Sequence, residues 1–465
     1  MERSLRQITS TVHWTREITL DVLCERISSI RIMSVLARLG VSERRVRKLT
    51  MELIVLLCIG MNLFTEEAID DVLQKLIAGQ RFLTLTDEKQ MGSGASAICQ
   101  RRQQLGVAPM VALYREVCQP LATPETRDAF LFGLRLMGVD GTVEDVADTP
   151  ANSRYFERQT GSRGDSAFPQ MRAVYLCECG THAICDAGTW PYLVGERKGG
   201  LRVLRSVGPG MLVLWDCGFH SFDMCERCFR QQKADFLGRV PSQVRFTPFR
   251  RLPDGSYLAY IRPSEYQRRK RGERLLVRVI EYTIDDPGRP GHGEHHRLIT
   301  SLLNHKLYPA HALAVAYHER WEVEITIDEV DTHQRQALRP FRSRTPLSVL
   351  QEFYGLLIAH YLIRSIMHEA ALKADVAPDC LSFVNSVRII RSAVFQAQIV
   401  APSQVADWRE RMLRDIGREI LPERANRSNP RVIKRKMSKF DLKRNQHYHW
   451  PQPTKSIADA IVLLI

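Results

Sequence analysis

Two short apolar stretches that each end in an aspartate constrain the fold of this chain more than any other feature. One reads Leu136-Met-Gly-Val-Asp140-Gly-Thr and the other reads Met211-Leu-Val-Leu-Trp-Asp216-Cys-Gly-Phe. Short apolar runs that are followed by turn residues are typical of buried strands. We therefore predict an α/β core in which Asp140 and Asp216 each lie at the end of a strand, where a rigid backbone holds the carboxylate.

A third acidic residue, Glu324, lies in a segment with helical spacing. The segment reads Tyr317-His-Glu-Arg320-Trp-Glu-Val-Glu324. Tyr317, Arg320 and Glu324 are at positions i, i+3 and i+7, so on a helix their side chains project from one face. Cleavage of a phosphodiester by two metal ions needs carboxylates that converge on ions about 4 Å apart. Magnesium prefers oxygen ligands and keeps several waters, so few acids suffice. The three acids therefore predict a divalent-metal site that acts on a phosphate backbone.

Each of the three acids also has a simpler interpretation. Asp140-Gly is a common turn dipeptide, Asp216 would serve as a helix N-cap, and Glu324 would serve as one more charge on a helix surface. Their order along the chain, with a β-rich stretch between the second and the third, favours a common site.

The charge of the chain favours a polyanionic partner. The 465 residues carry a net charge of +14 and the pI is about 9.4, as expected for a protein that binds nucleic acid or an anionic membrane. The longest apolar run, residues 53–64, is shorter than the roughly 20 residues of a membrane-spanning helix, and the N-terminus shows no signal-peptide pattern. We therefore expect no membrane association and a location in the cytoplasm.

The cysteines favour reduced thiols. There are 11 of them, an odd number, and they are scattered along the chain. Cys225-Glu-Arg-Cys228, together with Cys177 and Cys179, has a spacing that zinc sites use. Buried, reduced cysteines are the favoured interpretation of this group.

Changes in sequence pattern divide the chain into five segments. Residues 1–125 are predicted to form a helical DNA-binding domain, and 126–236 the first part of the α/β core. Residues 237–300 are predicted as a β-rich insertion with strands near 244–249, 257–262 and 275–282. The core resumes at 301–375, which carries Glu324, and 376–465 are predicted as a helical, basic tail.

Three basic segments are candidates for contact with a DNA backbone. They are the predicted helix around Arg101 and Arg102, the run Arg268, Arg269, Lys270 and Arg271, and the tail residues Lys434, Arg435 and Lys436. Basic residues on a helix are often only a solvated face. The tail segment alternates with apolar residues, which suits docking on a partner as well as on DNA.

The combined motifs resemble the DDE transposases of bacterial insertion sequences, specifically the insertion-element-four family. That family has Asp-Gly-Thr for the first acid, Asp-x-Gly-Phe for the second and Tyr-x2-Arg-x3-Glu for the third, which match Asp140, Asp216, and Tyr317, Arg320 and Glu324. Three further segments agree: Asp148-Thr-Pro-Ala-Asn152, Glu178-Cys-Gly-Thr-His-Ala and Pro430-Arg-Val-Ile-Lys-Arg-Lys-Met-Ser-Lys. The resemblance covers nearly the whole chain.

This resemblance implies a ribonuclease-H-like core interrupted by the β-rich insertion, with helical N-terminal and C-terminal regions. It implies that Asp140, Asp216 and Glu324 are catalytic and hold Mg²⁺, with Mn²⁺ as a substitute, and that Tyr317 and Arg320 contact the phosphate at the DNA end. If a flipped base stacks on an aromatic residue, the candidates are Tyr257, Tyr260 and Tyr266.

The implied reaction cuts double-stranded DNA at terminal inverted repeats and joins the 3′ ends to target DNA. Members of the family can pass through a DNA hairpin in this cut-and-paste pathway. The resemblance further implies a homodimer on paired DNA ends and a nucleoid-associated protein in the cytoplasm.

One departure from the family pattern keeps other functions open. The lysine that the family has seven residues after the glutamate is Asp331 in this chain, which removes a cationic contact to DNA and adds repulsion. Arg335 or another base would have to substitute. The alternatives are a nuclease on the same fold that cuts without joining, and a non-catalytic or decayed DNA-binding protein that occupies inverted repeats.

Overall fold

The chain divides into two compact units that interleave along the sequence. The computed structural model describes residues 27–43, 49–73, 76, 95–161, 164–335, 339–397, 400, 402–422, 433–434, 441–442, 445, 449 and 451–464. Unit one consists of Met1–Ala129, Gly141–Gly199 and Glu322–Ile420, and unit two of Phe130–Asp140, Gly200–Trp321 and Leu421–Ile465. Neither unit is therefore one continuous stretch of sequence.

The described residues form both helices and strands. The α-helices are α1 (Ser29–Arg38), α2 (Met51–Leu63), α3 (Ala95–Leu105), α4 (Ala108–Val117), α5 (Pro150–Phe156), α6 (Glu196–Val203), α7 (Phe222–Glu226), α8 (Tyr266–Lys270), α9 (Ala310–Tyr317), α10 (Trp321–Asp328), α11 (Pro346–Ala374), α12 (Phe383–Ala397), α13 (Val405–Gly417) and α14 (Ile457–Ala460).

The strands are β1 (Phe130–Leu131), β2 (Leu134–Asp145), β3 (Thr160–Gly161), β4 (Gly164–Asp165), β5 (Gln170–Glu178), β6 (Ala183–Pro191), β7 (Met211–Trp215), β8 (Asp235–Arg239), β9 (Arg250–Arg251), β10 (Tyr257–Ile261), β11 (Leu275–Ile284), β12 (His296–Thr300), β13 (Ile433–Lys434), β14 (Asp441–Leu442) and β15 (Ile461–Leu463).

Unit one is built around the long helix α11. Thr345 caps its N-terminus by accepting a hydrogen bond from the amide of Ser348, and Asp375 ends it in the left-handed conformation with φ 55°. The helix packs on α2, and the backbones approach closely because a Cβ on Gly355 would overlap the carbonyl of Cys58. Both helices are buried on nearly all sides, as expected for helices that form a core. Within the described ranges, no helix combines the length and apolar character needed to cross a membrane.

Unit one also contains an antiparallel hairpin, β5–β6, whose register runs from Met171↔Pro191 to Glu178↔Ala183. In strand order β5 is also the neighbour of β2. The turn of the hairpin includes His182 with φ 59°. Most of β5 and the first half of β6 are buried, so polar groups at this turn need partners inside the protein.

The sheet of unit two has a parallel part and an antiparallel part. The strands β2, β7 and β8 are parallel neighbours. The strands β12, β11, β10 and β9 follow β8 as antiparallel neighbours. This mixed sheet, with helices in both units, confirms the α/β class predicted from the sequence.

The predicted β-rich insertion is not confirmed as a separate element. The strands β10 and β11 match two of its predicted strands, but β12 pairs with β8, so these strands continue the sheet of unit two. The predicted strand at 244–249 is wrong, because these residues form a loop. Pro248 lacks the amide proton that a strand would use, and Arg297 binds the carbonyls of Ser242 and Val244.

The prediction of a helical tail is correct only as far as Gly417. Beyond it the described residues form the strands β13, β14 and β15 and the four-residue helix α14. The strand β15 pairs with 282–284 of β11, beyond the part of β11 that pairs with β10. The edge of β11 at 282–284 offers backbone groups that can pair with another strand. Pairing with this distant strand gives 461–463 a β conformation in place of the predicted helix.

The pairing of β7 with β8 depends on a glycine. Trp215 is fully buried, is the register partner of Gly238, and stacks on Phe236 with ring centroids 5.3 Å apart. A Cβ on Gly238 would overlap the indole nitrogen of Trp215. Because Trp215 directly precedes Asp216, the packing of its indole over Gly238 also holds the end of β7, from which Asp216 follows.

We expect Gly238→Ala to destabilise unit two. The added methyl group must displace a buried indole, and overpacking of this kind costs about 1–3 kcal/mol. Gly208→Ala is the matched control, because a Cβ at Gly208 meets open space. Urea unfolding compares the two variants, and equal unfolding midpoints would contradict the packing argument.

Candidate active site

Asp216 directly follows the end of β7, as predicted, whereas the prediction for Asp140 is wrong, because β2 continues to Asp145 and Asp140 lies inside it. The two aspartates nevertheless occupy neighbouring positions at the sheet of unit two. Val139 and Trp215 are register partners in the parallel pair β2–β7, and the two aspartates are the next residues of the chain. Neighbouring strands are about 4.8 Å apart, so the two carboxylates start from neighbouring backbone positions. Both residues are partly exposed. The amide of Gly218 donates to Oδ1 of Asp216 over 2.9 Å and turns the chain after β7.

Arg320 forms an ion pair with the first aspartate. Its Nη1 lies 3.0 Å from Oδ2 of Asp140, and the two side chains are 15% and 18% exposed. A guanidinium group presents a planar set of donors that suits carboxylates and phosphates alike. A group whose geometry suits phosphate therefore lies beside Asp140.

Tyr317 is buried next to the same residues. Burial raises the pKa of its phenol, Arg320 lowers it, and Asp216 raises it. Those electrostatic effects require that Tyr317 lie close to both side chains. The structure thus brings together, within unit two, Asp140, Asp216, Tyr317 and Arg320.

The segment predicted as one regular helix is divided into three pieces. The helix α9 ends at Tyr317, His318–Arg320 form a 3-10 turn, and α10 begins at Trp321. A 3-10 turn has about 3.0 residues per turn instead of 3.6, so Tyr317 and Arg320, which are three residues apart, remain on one side of the helical segment. Glu324 lies in the first turn of α10, in the part of the chain that belongs to unit one.

Asp331 lies in an internal ion cluster of unit one. It is in the π-helical stretch Glu329–Gln334, its carboxylate is 3.5 Å from Nη1 of Arg335, and that guanidinium also pairs with Glu144. Burial raises the pKa of Asp331 well above its usual value, and the charge of Glu144 raises it further. Arg335, the residue expected to substitute for the missing lysine, is only 10% exposed and holds these two acids. Nothing in the sequence pattern pointed to Glu144 as the partner.

The four residues of the basic run at 268–271 differ in their surroundings. Arg268 is 2.7 Å from carboxylate oxygens of both Glu226 and Glu273 and also pairs with Asp223. Arg271 is 3.0 Å from Glu273, whereas Arg269 and Lys270 are exposed at the end of α8. In the tail, Lys434 lies in β13, and Arg435 and Lys436 lie outside the described residues. The predicted DNA contacts of these residues remain predictions.

Two arginines of α3 are neither solvated nor available to DNA. Arg101 is 7% exposed and donates to the carbonyl of Leu49 over 2.8 Å. Arg102 is 5% exposed and donates to Gln351 and to the carbonyl of Ser348. Both guanidinium groups therefore stabilise the interior of unit one.

An aromatic and basic cleft lies in unit two, close in sequence to Asp216. Its volume is about 590 Å³ and its walls are mostly the loop after β8 and the strand β10; the lining residues are His220, Phe222, Val244, Arg245, Phe246, Thr247, Pro248, Phe249, Tyr260, Ile261 and Arg262. Phe249 packs edge-on against Tyr260 at 5.6 Å, and the guanidinium of Arg274 lies 4.3 Å from the centre of the Tyr260 ring. Aromatic rings and arginines together suit an unstacked base and its phosphate.

The sequence offered only a weak signal for this cleft. The loop that forms it was predicted as a strand, and only Tyr260 among its residues was a candidate for stacking.

No group of three or more His, Cys, Asp and Glu side chains in the described ranges is arranged to hold a metal ion. Asp140 and Asp216 supply the hard oxygen donors that Mg²⁺ and Mn²⁺ prefer. Cys177, Cys179, Cys225 and Cys228 are buried, reduced thiols, and burial raises the pKa of Cys228 well above its usual value.

A buried histidine adjoins Tyr317. The Nε2 of His318 is 3.5 Å from the hydroxyl of Tyr282, whose ring stacks on His296 with centroids 5.1 Å apart. Burial lowers the pKa of His318 to about 4, with further lowering by the charges of His296, Arg289, Arg239 and Arg320. The imidazole is therefore neutral at pH 7.

The chain is similar to proteins of known family. The model for insertion element 4 transposase N-terminal regions matches residues 17–115, and the model for the transposase DDE domain matches 132–362. The transposase InsG for insertion sequence element IS4 of Escherichia coli (strain K12) is 26% identical over 415 residues, which are 87% of this chain and 90% of that protein.

Two further similarities are more limited. The InsZ protein of the same organism is 30% identical over 130 residues, which are 28% of this chain and 44% of that protein. The solved structure of a piggyBac transposase synaptic complex with hairpin DNA aligns over 89% of this chain and 86% of that one, with 12% identity and a TM-score of 0.38.

We expect the neutral state of His318 to make unit two less stable in acid. The folded pKa of about 4 lies below the usual 6.5, so this contribution is present above pH 6.5 and is lost as the pH falls toward 4. The loss amounts to about 3 kcal/mol. His318→Gln should remove it, whereas His295→Gln, which changes an exposed histidine of the same unit, should not. Urea unfolding at pH 7 and pH 4.5 measures the difference, and parallel losses in all three proteins would refute the assignment.

Proposed function

Because this chain belongs to the insertion-element-four family of DDE transposases, we propose that it cuts DNA at terminal inverted repeats and joins the freed 3′ ends to target DNA by two-metal phosphoryl transfer. Membership of the family makes the chain a DNA-binding protein that cuts and joins DNA in transposition, and its mixed sheet fits a ribonuclease-H-like core. Within this proposal the strands of 237–300 are an addition to that core.

The observation that supports this proposal best is the register of β2 and β7. Val139 and Trp215 are partners in that pair, so two acids of the family motif follow at neighbouring positions. We infer that Asp140 and Asp216 are metal ligands, with Glu324 as the third. When bound, Mg²⁺ or Mn²⁺ would activate the attacking oxygen and stabilise the departing one.

Arg320 and Tyr317 are proposed to orient the DNA end. Arg320 is 3.0 Å from Asp140, and a guanidinium at this position would bind phosphate oxygens in two parallel hydrogen bonds. Tyr317 keeps its proton at neutral pH because burial raises its pKa, so its hydroxyl would donate to a phosphate. Both groups would hold the scissile phosphate beside the carboxylates, which lowers the entropy cost of the reaction.

A cut-and-paste pathway through a DNA hairpin bends the strand sharply and leaves a base without its stacking partners. We propose that the cleft around Tyr260 and Phe249 receives that base. Phe249 is 64% exposed at the cleft, and Arg245 and Arg262 on its walls would contact the adjoining phosphates. Tyr257 is buried and donates to Glu281 over 2.9 Å, which makes it the weaker candidate, and Tyr266 is not among the residues that line the cleft.

The partners that follow from this proposal are terminal inverted repeats, target DNA and a second copy of the chain. A homodimer on paired ends would act at the nucleoid. Exposed basic residues such as Arg269 and Lys270, with Lys434, Arg435 and Lys436, would contact the backbone outside the site.

Cleavage and joining of labelled DNA that carries the element's own ends tests the proposed reaction. With Mg²⁺ we expect nicking and strand transfer, both reduced at least about a thousandfold in Asp216→Asn, because a carboxylate that supports the transition state is lost. Asp328→Asn, which changes an acid that is 57% exposed on α10, is the matched control and should stay active.

Three outcomes would contradict the proposal. Cutting without joining would identify a nuclease on the same fold. Binding of inverted repeats without cutting, in the unaltered protein, would identify a DNA-binding relic. Unchanged activity in Asp216→Asn would remove this residue from the site.

Phe249→Ala tests the cleft. Stacking of one base on an aromatic ring contributes about 1–3 kcal/mol, so we expect hairpin formation to fall about tenfold while the first nick is unchanged. Leu307→Ala is the matched control, because Leu307 is 62% exposed in the same unit and does not line the cleft. The fluorescence of 2-aminopurine placed beside the cleavage site reports the stacking. Equal quenching with Phe249→Ala and the unaltered protein would exclude this residue as the stacking partner.

A further inference from the structure

The motif Glu178-Cys-Gly-Thr-His182 takes no part in the chemistry proposed above, yet it is built into the interior of unit one. Glu178 is fully buried and accepts hydrogen bonds from the amides of Leu121 and Ala122, both at 2.9 Å, and from the hydroxyl of Thr181. A Cβ on Gly180 would lie 2.6 Å from the Cα of Ala129. The turn between β5 and β6 is therefore held by buried hydrogen bonds and packs closely against the backbone of Ala129.

This turn places the imidazole of His182 between two carboxylates. His182 is fully buried, its Nε2 is 2.9 Å from Oε2 of Glu322, and its Nδ1 is 3.0 Å from Oε1 of Glu329. The two glutamates are seven positions apart, at the start of α10 and at the first residue of the π-helical stretch that follows it. Residues with this spacing lie on one side of a helix. One side chain thus spans two helical turns.

Glu329, the second of these carboxylates, is also bound by residues of α11. Glu329 accepts hydrogen bonds from Nε of Arg364 at 2.9 Å and from Nε2 of His360 at 3.2 Å. Burial would raise the pKa of Glu329, but Arg364 and His182 hold it well below its usual value. The cluster is therefore a paired set of buried charges, the condition under which such charges persist.

The charge state of the cluster favours an imidazolium at His182. Burial and the neighbouring Arg364 lower the pKa of His182, but Glu329 and Glu322 outweigh them, and the pKa is raised above its usual value. In that form both ring nitrogens donate to the two carboxylates; the guanidinium of Arg364 also lies beside Nδ1 and pairs with the same Glu329. The ring then resists rotation of α10 in either direction.

Glu324 follows Glu322 by two residues, which on a helix turns it to nearly the opposite side. We propose that His182 is a positioning residue: by binding Glu322 and Glu329 at once, it fixes the rotation of α10 and so the direction in which the carboxylate of Glu324 points. This inference rests on the proposed role of Glu324 as a metal ligand. His182 itself touches neither metal nor DNA in this role.

His182→Asn tests the proposal in the full-length protein. Asparagine tolerates the left-handed backbone of this position, but its shorter side chain cannot span both glutamates. We expect the Mg²⁺ concentration for half-maximal cleavage to rise about tenfold, as when support for a metal ligand is lost. Binding of Mn²⁺ to the protein–DNA complex, followed by electron paramagnetic resonance, should weaken by a similar factor. Binding of DNA ends without metal should not change.

His360→Asn is the matched control. His360 is as buried as His182 and contacts Glu329 through its Nε2 at 3.2 Å. A purely structural role predicts that both variants lower the unfolding temperature and leave the metal dependence unchanged. That result with His182→Asn would overturn the proposal.

Glu322→Gln covers the case in which His182→Asn does not fold. Glu322 is 13% exposed, and glutamine keeps the length of the side chain while it loses the charge. We expect the same change in metal dependence but a smaller one, and no further change when it is combined with His182→Asn. An unchanged metal dependence in Glu322→Gln would also overturn the proposal.

Glu324→Gln separates this inference from the proposed function. If that variant loses Mn²⁺ binding and cleavage while His182→Asn and Glu322→Gln behave as the unaltered protein, the reaction stands and the positioning role fails. If Glu324→Gln binds Mn²⁺ and cleaves as the unaltered protein does, the role of Glu324 as a metal ligand fails first.

Discussion

The parallel pairing of β2 with β7 is the constraint on which the rest of the candidate site depends. Backbone hydrogen bonds set Val139 opposite Trp215, and a slip of one residue would turn every side chain to the other face of the sheet. On the other side of β7, the large indole of Trp215 over Gly238 fixes the register with β8, because only a glycine leaves room for it. Arg320 and Tyr317 lie beside Asp140 and Asp216, whose backbone positions are set by the sheet.

Buried charge organises unit one as much as apolar contact does. Arg102, Arg335 and Arg364 each bind acceptors that are distant in sequence, and each is at most 10% exposed. These contacts join helices whose apolar faces alone would permit several arrangements. The net charge of +14 indicates the class of partner correctly, but it does not identify the residues that contact DNA, because some of the basic side chains are used inside the protein.

The sequence predictions are accurate where neighbouring residues determine the structure and less accurate where contacts between distant residues determine it. Asp216 was correctly predicted at a strand end, because a short apolar run followed by a turn is a local signal, but Asp140 lies inside β2, whose pairing continues beyond the apolar run to Asp145. The regular helix through Tyr317 and Glu324 was wrong in detail, since the 3-10 turn at His318–Arg320 has no local signature. The loop at 244–249 and the strand β15 were missed because their form depends on Arg297 and on the free end of β11.

The sequence by itself determined the α/β class, the family and the order of the acidic residues, because acids that close apolar runs and helix spacing are encoded by near neighbours in the chain. Only the tertiary structure decided which charges are internal. His182 meets Glu322 and Glu329, and Asp331 meets Glu144 through Arg335. A buried charge is stable only beside a partner of opposite sign, and that partner can lie more than a hundred residues away, where no periodic pattern indicates it.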